Sequence, residues 1–373
     1  MISPMILAVS ILIALIVPIG FLVFLRTFDL HKTAKFRKNI VTLVCGIIAY
    51  LLAARINPAM VNAGWVTWDQ VVRITAPMVE ELLKSLILLY LVSRADFNYV
   101  VDGALYGFGA GIGFAVIENV EYVEGNIEIA LVVALARVFS TNLMHATGSG
   151  LIGTALAFSR GEKSKWRGGL AIVGGYVIAM AFHAAFNTMV NAGTFLVFAI
   201  GYGVVGAILI WFVIRRGLNT QKQWVGEKLG AEDRVTKEET RAVTGIEKVV
   251  DTLLQPFRER FGEEKIPLVR DLLYKQAEMG IKRKLMETTP SPTKRKEIET
   301  IIQTLYREME DLRRRIGMYP MMFVREVYLG QDFQVWAMIQ SRVAESSTGQ
   351  KGGGLFDRVN DRIREKSIKK DES

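Results

Sequence analysis

Seven long apolar runs fill the first 214 residues of this chain: 4–25, 39–56, 70–93, 101–123, 127–159, 168–190 and 192–214. About 20 mostly apolar residues are what a helix needs to cross the hydrocarbon core of a bilayer. Each run reads as a span, because backbone groups in lipid must be satisfied within the segment itself. The predicted fold class is all-α: a polytopic membrane helix bundle of seven spans followed by a helical cytoplasmic domain. The fifth run is long enough to tilt or to continue past the membrane. The short Asn191–Thr194 turn predicts that the sixth and seventh spans are antiparallel neighbours.

Composition changes sharply at Arg215-Arg216. Residues 1–214 form the transmembrane domain, 215–345 a helical cytoplasmic domain, and 346–373 a flexible linker and basic tail. The soluble part holds about two-thirds of the Lys and Arg behind the net charge of +9, but acidic residues balance most of them. That mixture lacks the one-sided patch of a nucleic-acid surface and leaves contact with anionic lipid. The single cysteine, Cys45, excludes an internal disulfide and a Cys-based metal site. The start of the chain has no basic cluster before its apolar run, and the basic cluster follows it, so 4–25 reads as a retained helix. In 294–316, Ile298, Ile302, Leu305, Met309, Leu312 and Ile316 alternate steps of four and three. That seam serves either an ordinary packed helix or a homo-oligomer through the cytoplasmic helices.

Loop charge sets orientation. Arg26, Lys32, Lys35, Arg37 and Lys38, then Arg160, Lys163, Lys165 and Arg167, then Arg215 and Arg216 all fall on one side of seven spans. The N-terminus is therefore expected outside and the soluble domain in the cytoplasm. Trp65 and Trp68 suit an outer interfacial belt.

Against this background several polar residues stand at membrane depth: Glu80, Glu81 and Lys84; Glu118 and Asn119; Asn142 and His145; His183 and Asn187. Each alone is explained by a helix–helix hydrogen bond. Together they occupy one slab from midplane to outer half, with Glu118 and His183 on the order of 10 Å from their span centres. Glu80 and Lys84 have i,i+4 spacing and are expected to pair. Glu81, about 100° further round, faces elsewhere. His183 and Asn187 share the same spacing, as do Phe114 and Glu118. Gly103, Gly107, Gly109, Gly111 and Gly113 provide for close helix packing. Arg73 and Arg137 read as structural: either can snorkel toward the outer interface, and Arg137 can instead pair with Glu128 or a site carboxylate.

A desolvated carboxylate can activate water as a general base, and His or Asn can donate to an oxyanion. Alternatively Glu81, Glu118, His145 and His183 bind Zn2+ or another divalent metal, with Glu80 as base. No HExxH helix is present, so ligands must come from several helices. Glu80-Glu81-Leu82-Leu83-Lys84 resembles the EExxK motif of the PrsW family of intramembrane proteases. Phe114…Glu118-Asn119, the lone His145 and His183…Asn187 continue the resemblance over about 70–190. It implies an intramembrane endopeptidase, glutamate- or metal-dependent, cutting a membrane-protein substrate near the outer face. The chain departs from the related CAAX-processing branch, with Lys84 one residue early for its Arg and Glu118 in place of its His. That argues against a prenylated substrate. Two other functions fit buried Glu and His: a transporter or proton pathway, which predicts repeats and broken helices, and an inactive membrane scaffold.

Overall fold

The computed structural model describes residues 4–27, 29, 34–191, 196–230, 235, 240, 243–245 and 254–326. The Asn191–Thr194 turn and the expected linker and tail beyond 345 lie wholly or largely outside the described residues. Helices α1 (Pro4–Arg26), α2 (Phe36–Asn62), α3 (Ala76–Ser93), α4 (Val100–Gly125), α5 (Ala130–Phe139), α6 (Thr141–Gly161), α7 (Lys165–Asn191) and α8 (Leu196–Lys228) build the apolar part. Helices α9 (Leu254–Phe261), α10 (Ile266–Thr288), α11 (Pro292–Ile316) and α12 (Met318–Glu326) follow, and there is no strand among the described residues. Among the described residues, six stretches are long and apolar enough to cross a membrane. The run outside those six is the third, with α3, and it carries Glu80, Glu81 and Lys84. The chain is thus an all-α membrane helix bundle.

Helix α4 is the axis of the bundle, and every residue from Val100 to Val116 is buried. Its glycines make this burial possible, on two faces. A Cβ at Gly103, Gly107 or Gly111 would fall 2.2–2.4 Å from a backbone oxygen of α6 (Gly153, Ser149 and His145). A Cβ at Gly113 would fall 1.9 Å from the oxygen of Leu43 on α2. Close approach of backbones through small residues is how helices associate where no water drives them together. Large apolar residues of α1, α2 and α7, such as Leu12, Ile16, Leu51 and Val177, point outward, as lipid contact requires.

Two runs depart from continuous helix, both beside the polar cluster. The third run opens with a single turn (Trp68–Gln70) and a π-helical turn (Val71–Thr75) before α3. Pro77 has no N–H for the Arg73 carbonyl four residues back, and Ala76 N–H reaches five back to Val71 O instead. The fifth run is not one tilted helix. It breaks at Ser140, where φ is −120° and ψ −81°, into α5 and α6. Ser140 Oγ donates back to Ala136 O at 2.7 Å, and Gly203 of α8 packs against the Phe139 carbonyl at the break. Short polar side chains compete for backbone groups in this way and weaken a helix locally.

Helix α8 runs without interruption through Arg215 and Arg216 to Lys228. Its Val225 joins Phe257, Val269, Leu273, Ile302 and Met309 in the core of the polar half. The whole seam from Ile298 to Ile316 is buried, with α11 packed against α10 inside the chain, so the ordinary packed-helix use of that seam is the one seen.

Candidate active site

Six helices bring the polar residues to one place. A chain of contacts runs through it. Arg137 Nη2 lies 3.0 Å from Glu118 Oε2, which accepts from His145 Nε2 at 2.8 Å. Lys84 Nζ lies 3.0 Å from His145 Nδ1 and donates to Glu81 Oε1 at 2.6 Å. The same Glu81 oxygen lies 3.1 Å from His183 Nδ1. His183 Nε2 is 3.7 Å from Glu80 Oε2, and Asn57 Nδ2 is 3.5 Å from Glu80 Oε1.

These contacts assign the proton positions. An ammonium only donates, so His145 Nδ1 accepts from Lys84 and its Nε2–H donates to Glu118. His183 Nδ1–H donates to the Glu81 carboxylate, and its Nε2 is left as a lone-pair nitrogen. Glu81 accepts from Lys84, from His183 and, more weakly, from Ser149 Oγ at 3.4 Å. It is consumed by structure. Glu80 is held only by its two long contacts. Glu118 Oε1 has no hydrogen-bond partner among the described residues.

Burial divides the cluster. The side chains of Glu81, Lys84, His145 and His183 are 0–1% exposed, whereas those of Glu80, Glu118 and Arg137 are 12%, 19% and 13% exposed. The open edge of the site is therefore formed by α3, α4 and α5. Phe114 lines the closed side, with its ring 4.7 Å from Lys84 Nζ and 4.9 Å from the His145 ring. The two imidazoles meet edge to face at 4.6 Å.

Several sequence-based expectations change. Lys84 pairs with Glu81 at i,i+3, not with Glu80 at i,i+4, because His183 and Ser149 of the neighbouring helices draw Glu81 to that side. Asn187 does not point with His183 toward one spot. Its Nδ2 donates to Val72 O at 3.0 Å and ties α7 to the π-helical turn. Of the two uses open to Arg137, pairing with a site carboxylate is the one seen: it sits on Glu118 and Asn119. Arg73 does stay at the periphery, paired with Asp69 at 2.7 Å. Asn57 and Ser149 were missed. Asn57 lies one residue beyond the apolar run 39–56, and Ser149 stands among small residues that read as packing.

Donor atoms of Glu80, His145 and His183 all lie within 4.8 Å of one another and are buried, as a metal site requires. The set contains Glu80 in place of the Glu81 and Glu118 expected from sequence. Its chemistry, two imidazoles and a carboxylate, is that of a catalytic zinc centre with an open position. Glu81 behind His183 Nδ1 supplies the carboxylate–histidine support such ligands use. Both nitrogens of His145 have partners, so ligation through either one displaces Lys84 or Glu118.

A buried carboxylate–imidazole–ammonium cluster inside a bundle of membrane-length helices defines a polytopic membrane protein with an intramembrane reactive site. The chain is similar to the PrsW family: a model described as PrsW family intramembrane metalloprotease matches residues 35–215. The match includes α2, which the sequence motifs did not reach. No curated protein and no solved structure matches the chain. That match and the fold together support an integral membrane peptidase.

Proposed function

We propose that the chain is an endopeptidase that cuts a membrane-protein substrate in the outer half of the bilayer, with Glu80, His145 and His183 holding a divalent metal, Zn2+ in the first instance. The observation that carries this reading is the convergence of those three donors within 4.8 Å. When bound, such a metal lowers the pKa of its water and polarises the scissile carbonyl. Glu118, with one oxygen free at the open edge, accepts the proton of the attacking water and returns it to the leaving amine. Glu81 orients His183, and Lys84 balances Glu81 and fixes the tautomer of His145. Asn187 acts through the π-helical turn that precedes Glu80. The orientation with the N-terminus outside and residues beyond 215 in the cytoplasm rests on loop charge, supported by the exposed Trp65 and Trp68 at one end of the bundle.

A metal-free reading, with Glu80 as the base, is favoured by one observation: both nitrogens of His145 are already satisfied within the protein. A transporter is the third reading, favoured by the helix break at Ser140. The test uses the purified full chain with a single-span substrate, after chelation and after Zn2+ return. Loss of cleavage on chelation, its recovery with zinc, and loss of bound zinc in Glu80→Ala and His183→Ala support the metal reading. Full cleavage by metal-free protein sinks it in favour of Glu80 alone. Ion flux in proteoliposomes without any cleavage sinks both.

A further inference from the structure

We infer that Arg137 is a positioning residue that aims the Glu118 carboxylate at the reacting water. The inference rests on the reading in which Glu118 is the proton acceptor. Arg137 stands on the half-helix α5, which ends at the break at Ser140. Its Nη2 is 3.0 Å from Glu118 Oε2, its Nε donates to Asn119 Oδ1 at 2.9 Å, and its guanidinium lies 3.7 Å above the Tyr122 ring. One cation is thus fixed to three residues within a little over one turn of α4.

Its geometry has a consequence for the site. His145 Nε2 meets the same Glu118 oxygen at 2.8 Å. The His145 hydrogen bond and the Arg137 ion pair, both on Oε2, hold the carboxylate and leave Oε1 as the free acceptor. In a continuous helix, residues 137 and 145 would lie about 12 Å apart along the axis; from separate segments both reach the same Glu118 oxygen. Glu118 is at the open edge, where a long flexible side chain would otherwise turn outward. Only the planar fork of arginine can hold Glu118 and Asn119 together while stacking on Tyr122, and lysine offers a single point charge.

The test measures kcat and KM for single-span substrate cleavage by the wild-type full chain, Arg137→Gln, Arg137→Lys, Glu118→Gln and the Arg137→Gln/Glu118→Gln pair. Zinc content and melting temperature are measured on the same samples. Loss of an outer partner of this kind costs roughly 10–100-fold. Arg137→Gln is expected to lose that much in kcat with KM, zinc content and melting temperature little changed. Arg137→Lys is expected to lose nearly as much. The double variant should be no slower than Glu118→Gln alone, because Arg137 acts only through Glu118. Full kcat in Arg137→Lys, a loss that follows the folded fraction, or a double variant slower than Glu118→Gln would each overturn the inference. Glu118→Gln retaining wild-type cleavage would instead overturn the underlying role of Glu118, which separates the two failures.

Discussion

Replacing Lys84 by Met should destabilise the membrane bundle more than any other single neutral substitution in the site. The Lys84 ammonium is 2.6 Å from Glu81, and both side chains are fully buried. Without it Glu81 keeps one imidazole N–H and a weak hydroxyl contact, and no cation. Breaking a buried pair by removing one partner costs about 3–5 kcal/mol, because the other charge stays behind uncompensated. At about 2–4 °C per kcal/mol for a unit near 200 residues, the melting temperature should fall by roughly 6–20 °C. Removing both charges should be milder. The Glu81→Gln/Lys84→Met pair is expected within about 2 kcal/mol of wild type, since neutral replacements of a whole buried pair are often near neutral. Circular-dichroism melting of the four proteins in one detergent gives the cycle directly. A Lys84→Met protein melting within 2 °C of wild type would refute the reasoning. So would a double variant no more stable than the worse single one, since then the loss would come from packing rather than from a stranded carboxylate.

Two further outcomes follow from burial. Gly113→Ala would put a methyl 1.9 Å from the Leu43 carbonyl, backbone against backbone. Helix α2 must move, and overpacking of this kind costs about 1–3 kcal/mol or more, so the variant should show a lower melting temperature and a lower folded yield than Gly109→Ala, whose nearest contact is the Thr42 side chain. Lys282 of α10 is fully buried and donates to Ala95 O at 2.8 Å. Burial pulls its pKa down to about 8, against the opposing pull of Glu278, Asp102 and Asp96. Below pH 8 both folded and unfolded chains hold the proton. Between that and the ordinary lysine value of about 10.4 only the unfolded chain does, so stability should rise with pH across that window. Melting curves from pH 7.5 to 10 should show the rise in wild type and lose it in Lys282→Met. An equal slope in both would refute this assignment.

The spans were legible because a 20-residue apolar run has few alternatives, and the common depth of Glu80, Glu118, His145 and His183 already pointed to one site. The pairing was not. Spacings of three and four are equally compatible with one helix face, and only His183 and Ser149 on other helices decide that Lys84 meets Glu81. The break at Ser140 was invisible for a related reason: a hydropathy run averages over many residues, while a break needs only one residue outside the helical region. Arg137 stayed undecided between snorkelling and a carboxylate partner because, on an unbroken helix, its place near the outer end suits either. Once the run is split, the same residue turns inward onto α4.

Charge counting shows why this cluster is more than a device for holding helices together. Lys84 balances Glu81, and Arg137 balances Glu118, each within hydrogen-bonding distance. The second pair ties α5 to α4, and the first, within α3, is tied to α6 and α7 through His145 and His183. The third carboxylate, Glu80, has no cation of its own. Its one donor among the described residues is the Asn57 amide at 3.5 Å, and the lone-pair nitrogen of His183 lies 3.7 Å away. A largely buried carboxylate with one long hydrogen bond and no cation is costly, and a purely structural site would gain by losing it. It stands instead beside two imidazoles, at the edge of the site that is open. What neutralises Glu80, whether a metal ion or a proton taken from water, is therefore the chemistry the rest of the cluster is arranged to support.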